Sequence, residues 1–94
     1  MSESTINIES FDVDGRTIRF KQPLAVRVEN KGKRYFCARH DGLNLIASAN
    51  SRDKIGDEVQ NELAFTWIEY VETDEDLSPG AVQLRETFRE LVEA

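Results

Sequence analysis

Cys37, His40 and Asp41 are the residues of this 94-residue chain whose types and spacing can do covalent chemistry. A thiolate is a nucleophile, an imidazole exchanges protons near neutrality, and an adjacent carboxylate can orient that imidazole. All three lie in RYFCARHDGLNLIASANSRDKIGDEVQNELAFTWIEY, residues 34–70, and the chain has one Cys and one His in total. The set is incomplete. Neighbouring residues in a turn seldom aim at each other, no glycine-rich loop offers to cradle a phosphate, and a lone Cys in a strand serves as a small apolar filler. Zinc sites need about four ligands with N or S donors, and this chain has two such side chains, Cys37 and His40. The acids from Glu72 to Asp76 lack the glycine and oxygen spacing of a calcium loop. The expectation is a chain that is not an enzyme, with no catalytic, cofactor-binding or metal-binding residues and no cofactor.

The elements that position these residues follow from periodicity. Ser10–Val13 and Arg16–Lys21 flank Asp14-Gly15, a pair suited to a type I′ hairpin. That hairpin sets Val13 opposite Arg16 and Phe11 opposite Ile18, with Phe11, Ile18 and Phe20 on one face. Ile6 and Ile8 have the opposite parity, which calls for a bulge near Glu9-Ser10 or a late strand start. After Gln22-Pro23, Leu24, Val26 and Val28 alternate with Ala25, Arg27 and Glu29 as in a half-buried antiparallel strand. A turn at Asn30–Lys33 precedes an aromatic strand, Arg34–Arg39. His40-Asp41-Gly42 breaks that strand, and Leu43–Ala49 resumes with Leu43, Leu45, Ala47 and Ala49 on one side.

The period then changes. Asn50-Ser51 is suited to accept from the free N–H groups of a helix running to about Val71, with Asp53 in its first turn. Ile55, Val59, Leu63, Trp67 and Tyr70 form its sheet-facing stripe. Phe65 and Ile68 fall off that stripe and need another surface. Ser78-Pro79 caps a final amphipathic helix with Ala81, Leu84, Phe88, Leu91 and Val92 along one side. That strip is expected to dock on Phe65 and Ile68, in the same chain or in a second copy. The fold class expected is α+β: an antiparallel sheet of three to four strands covered on one face by a long helix, followed by a C-terminal amphipathic helix, in a single domain over residues 1–94.

Composition agrees. With 39% hydrophobic and 32% charged residues the chain is globular rather than disordered. No stretch of 18 apolar residues is available to cross a membrane, and MSESTINIES has neither the basic start nor the apolar run of a secretory leader. A cytoplasmic protein is expected, with no membrane partner. The net charge of −6 is unevenly spread: ten of the twelve Lys and Arg lie between Arg16 and Lys54, beside only three acids.

Residues 34–70 resemble the core of the HicB-like antitoxin family, an aromatic strand, a turn containing Leu, a small-residue strand, a Ser or Thr cap, and a helix of interleaved acids and apolar residues. The matching residues are Tyr35 or Phe36 with Ala38, then Leu43, then Ser51 as the cap, and Ile55, Val59 and Leu63 on the helix. This chain has HDGLN and SAN where the family often has Pro and Gly, and from residue 78 it offers one helix instead of a DNA-binding segment. The resemblance implies a helix-covered sheet, protein binding by occlusion of a partner, and no built-in module for reading DNA.

The partner-binding candidates are therefore Arg19, Lys21, Arg27 and Arg39 on the open sheet face, with one aromatic of Tyr35-Phe36, and Phe65 and Ile68 on the helix. The partners expected are a second copy, giving a homodimer, and a small basic protein. Nucleic acid held on the basic sheet is the alternative, because positive strands bearing an aromatic serve as a nucleic-acid surface.

Overall fold

The computed structural model describes residues 3–93. Four strands, β1 (Glu3–Val13), β2 (Arg16–Gly32), β3 (Tyr35–His40) and β4 (Leu45–Ala49), make an antiparallel meander in spatial order β1-β2-β3-β4. Helix α1 (Arg52–Thr66) covers one face and runs into a π-helical turn, Trp67–Val71; α2 (Pro79–Leu91) follows. The fold is α+β, as the periodicity predicts.

The hairpin forms for the reason its sequence gives. Asp14 and Gly15 both have positive φ, 49° and 79°, and Val13 pairs with Arg16 and Phe11 with Ile18. The parity conflict in β1 is resolved by a break in register: Ile8 pairs with Leu24 but Ser10 with Arg19, so Glu9 faces the whole of Phe20–Pro23. Ile8, Phe11 and Val13 can then all point inward and are all buried.

β2 has 17 residues and would span about 56 Å if straight, more than the molecule's longest extent of 41 Å. It must bend, and Pro23, which has no N–H to give a ladder, lies in the segment where pairing lapses. Beyond the bend β3 no longer accompanies β2. The C-terminal residues take that edge instead, Val92 bridging Phe20 and the Glu93 N–H donating to the Arg19 carbonyl at 2.8 Å.

Under α1, Ile55, Val59 and Leu63 close over Val26, Val28, Ala38, Leu45 and Ala47, all buried. The bent half has an aromatic core of its own. Phe88 from α2 lies with its ring centroid 5.6 Å from Phe11, 6.2 Å from Phe20 in a parallel stack, and 5.2 Å from Trp67 edge-on.

Two expectations are corrected. The strip of α2 does not dock on Phe65 and Ile68; it docks within the chain on Phe11, Phe20 and Trp67, and Phe65 and Ile68 remain exposed. The aromatic pocket made by the bent hairpin buries Phe88 completely, which a flat contact with one side of a helix cannot do. Ser51 stands at the α1 N-cap position, but its side chain accepts no capping hydrogen bond. Ser78 does cap, its Oγ accepting from the Ala81 N–H at 3.3 Å.

Truncation separates the two groups of aromatics. Phe88→Ala should lower the unfolding free energy by roughly 3–5 kcal/mol, whereas Phe65→Ala should change it by no more than about 0.5 kcal/mol. Urea titrations of both variants read this directly, and equal losses would mean that α2 is held elsewhere.

Candidate functional site

Strand parity disperses the catalytic candidates. Cys37 sits on the open face of β3 between Glu29 and Ser48, while His40 has the parity of the buried Ala38 and pairs with Leu45. The two side chains leave opposite faces of one strand, so a Cys–His pair cannot form. His40 instead has a structural task. Its Nδ1 accepts from the Leu43 N–H at 3.1 Å and caps a short 3-10 turn, Asp41–Leu43. Gly42 packs beneath the ring, where a Cβ would come within 3.0 Å of Cε1. A nitrogen that accepts must be unprotonated, and partial burial holds the imidazole below its ordinary pKa against the opposing pull of its own backbone and of Asp41. No group of three or more potential metal ligands occurs among the described residues. A groove of about 460 Å³ between the 3-10 turn, Tyr70 and the start of α2 has Asp41, Asn44 and Ser78 in its wall.

The basic candidates divide into two groups. Arg27 and Arg39 are direct cross-strand partners on the open face, next to Ile46 and, on the other side, Thr5. Tyr35 is the aromatic that joins them on the outside; Phe36 turns inward and packs against the core. Arg19 and Lys21 are exposed on the bent half of β2, and eight residues of strand put Arg19 about 26 Å from Arg27 before bending. Glu29 further dilutes the positive charge, lying 3.3 Å from Lys31 and 3.7 Å from Arg27.

The helical side is different in kind. Phe65 is 60% exposed and Ile68 42%, a pair three residues apart and so on one helical face. Glu58, Glu62, Glu69 and Glu72 stand at helical spacings around them, and residues 55–84 contain eight acids and no Lys, Arg or His. The lack of any base there is legible in the sequence, yet the ring of glutamates was not among the predicted residues. Its last member is tied down. Arg16 on the hairpin makes a two-pronged ion pair with Glu72, both contacts at 2.8 Å. The hydrogen bond from Arg16 holds the Glu72 carboxyl below its usual pKa against the opposing effect of desolvation. The Trp67 indole N–H is buried and has no hydrogen-bond partner among the described residues.

No family model, no curated protein and no solved structure matches this chain. Among the described residues no helix is long and apolar enough to cross a membrane.

The His40 cap makes stability depend on pH. An imidazole whose folded pKa is lowered binds its proton more readily when unfolded, so its stabilising effect is complete above about pH 6.5 and is lost as pH falls below that value. Melting temperatures between pH 7.5 and 5.5 should fall more for the parent than for His40→Asn, whose amide oxygen still accepts but does not titrate. Parallel slopes would show that His40 does not set this dependence.

Proposed function

We propose that this chain is a non-enzymatic protein-interaction module, antitoxin-like in mode, which binds and occludes a small basic protein partner. The observation that carries the reading is the exposed Phe65–Ile68 pair within a helical face that has acids and no bases. Apolar side chains of this size are costly to leave in water, and the acids around them select what can cover them. A partner offering Lys and Arg around an apolar strip satisfies both demands, with Phe65 as the anchor and the glutamates steering approach. The resemblance to HicB-like antitoxins points the same way. In this reading the module is a cytoplasmic homodimer, with Cys37 a reduced thiol.

The test is a paired capture experiment. Parent protein immobilised on a column should retain a basic polypeptide from its native lysate, and Phe65→Ser with Ile68→Ser should not. Purified partner should bind Phe65→Ala about 30-fold more weakly, the loss expected of an anchor residue. A basic polypeptide retained equally by both columns, or none retained by either, refutes the reading.

One observation favours a second reading. Arg27 directly opposite Arg39 is a like-charge cross-strand pair, which destabilises a sheet and is relieved by an anion. Nucleic acid on the open face would supply one. Because the bases are split and the helical side is acidic, we expect no RNA or DNA affinity tighter than about 10⁻⁵ M at physiological salt. Fluorescence anisotropy with labelled oligonucleotides decides it: submicromolar, salt-sensitive binding lost on Arg27→Glu with Arg39→Glu establishes the alternative.

A further inference from the structure

The strand order leaves β1 and β4 at the sheet's edges, and the two edges are not alike. β1 is interrupted by the register break at Glu9 and carries exposed Glu9 and Asp12, devices that discourage another strand from adding on. β4 reads LIASA between Asn44 and Asn50, with no charge, no proline and no glycine. Its pairing with β3 runs unbroken from Phe36–Ala49 to His40–Leu45. Leu45 and Ala47 are buried on the inner side, while on the outer side Ile46 is 57% exposed and Tyr35, on the next strand, 51%. The outward row of N–H and C=O groups is therefore regular and undefended.

The ends of this edge differ in charge. Arg34 and Lys54 gather with Tyr35, Ser48 and Asn50 at the Ala49 end, and Arg52 follows in the first turn of α1, so three bases outnumber Asp53 and Glu58 there. At the Leu45 end Asp41 is exposed beside Asn44 and His40 is partly buried, while Arg39 stands one strand back, opposite Ile46. The bases crowd the Ala49 end and the exposed Asp41 lies at the other, so reversing the edge brings Asp41 to the bases of a second copy.

We propose that β4 pairs antiparallel with β4 of a second copy about a two-fold axis through Ala47. The pairing depends on the homodimer reading for its occupant and is independent of the Phe65–Ile68 face. Antiparallel alignment sets Asp41 of each copy near the bases of the other, where parallel alignment would set like charges together. Outer side chains stay on one face only if paired positions share parity. Full overlap of β4 then sets Ile46 opposite the partner's Ser48, with the two Ile46 side chains as diagonal neighbours within reach of each other. The product is a continuous antiparallel sheet whose free edges are the two bulged β1 strands, and the interface is isologous and closed.

Sedimentation velocity at about 100 μM should give the parent twice the 10.8 kDa chain mass, a concentration at which a weak edge-paired dimer is populated. Ile46→Lys with Ser48→Lys sets lysine against lysine twice across the axis and should yield monomer. Ile46→Lys with Ser48→Glu sets opposite charges in the same places and should restore the dimer. Both side chains lie outside the core, and circular dichroism confirms that each variant is folded. Phe65→Ser with Ile68→Ser should remain dimeric, which separates this interface from the partner-binding face. A monomeric parent, a dimeric double-lysine variant, a Lys–Glu variant that stays monomeric, or dimer lost only on changing Phe65 and Ile68 would each overturn the proposal.

Discussion

Phe88 is the residue on which the arrangement of the molecule turns. Its ring fills the pocket made by Phe11 and Phe20 on the bent hairpin and by Trp67 at the entry to the π-turn. Each aromatic pair of this kind adds roughly 0.5–1.5 kcal/mol to what area burial already gives. The pocket exists because β2 is too long to stay straight and because β1 shifts register at Glu9, turning Phe11 and Val13 inward. Once α2 is committed there, it cannot also cover Phe65 and Ile68. The exposure of that pair is therefore a consequence of the hairpin's register and not of a loosely held terminus. Val92 and Glu93, hydrogen-bonded along β2, hold the far end of α2 in place.

Charge is sorted by layer. Lys and Arg come from the hairpin, the sheet and the start of α1, while acids dominate the rest of the helical layer. Arg16–Glu72 joins the two layers at one point, two-pronged but mostly solvated, so it orients the hairpin against the π-turn more than it stabilises the fold. Repulsion among the helical acids costs stability that the two cores must offset. Such an arrangement gives the molecule a negative side together with a patchwork positive side interrupted by Glu29.

Much of the fold was legible because its determinants are local. Asp14-Gly15 specifies the hairpin and its register, alternation along β2 assigns every inward residue from Phe20 to Val28, and Ser78-Pro79 begins α2 as predicted. The bulge was legible only as a conflict between the parities of Ile8 and Phe11. What could not be read was the docking of α2. Its amphipathic strip fits any apolar groove, and the aromatic pocket arises only after β2 has bent, a consequence of its length and of a gap in pairing between distant residues. The candidate site was half legible. Phe65 and Ile68 stood out from the helical stripe, but the division of Arg19 and Lys21 from Arg27 and Arg39 depends on the same bend. Tyr35 and Phe36 could be told apart only once their register against β2 was known.

The residues that look reactive and the residues that look misplaced are different sets. His40 caps a turn with a nitrogen that must stay neutral, and Cys37 occupies an ordinary strand position; both obey the rules that stabilise a fold. The rules are broken elsewhere, by large apolar side chains left in water at Phe65 and Ile68, by arginine opposite arginine at Arg27 and Arg39, and by an uncharged open edge at β4. Departures from local consistency concentrate where a protein meets something else. All three lie on the surface, so each departure is open to solvent: the first follows from the docking of α2, the second from the register of β2 against β3 and the third from the strand order, rather than from the packing of the core.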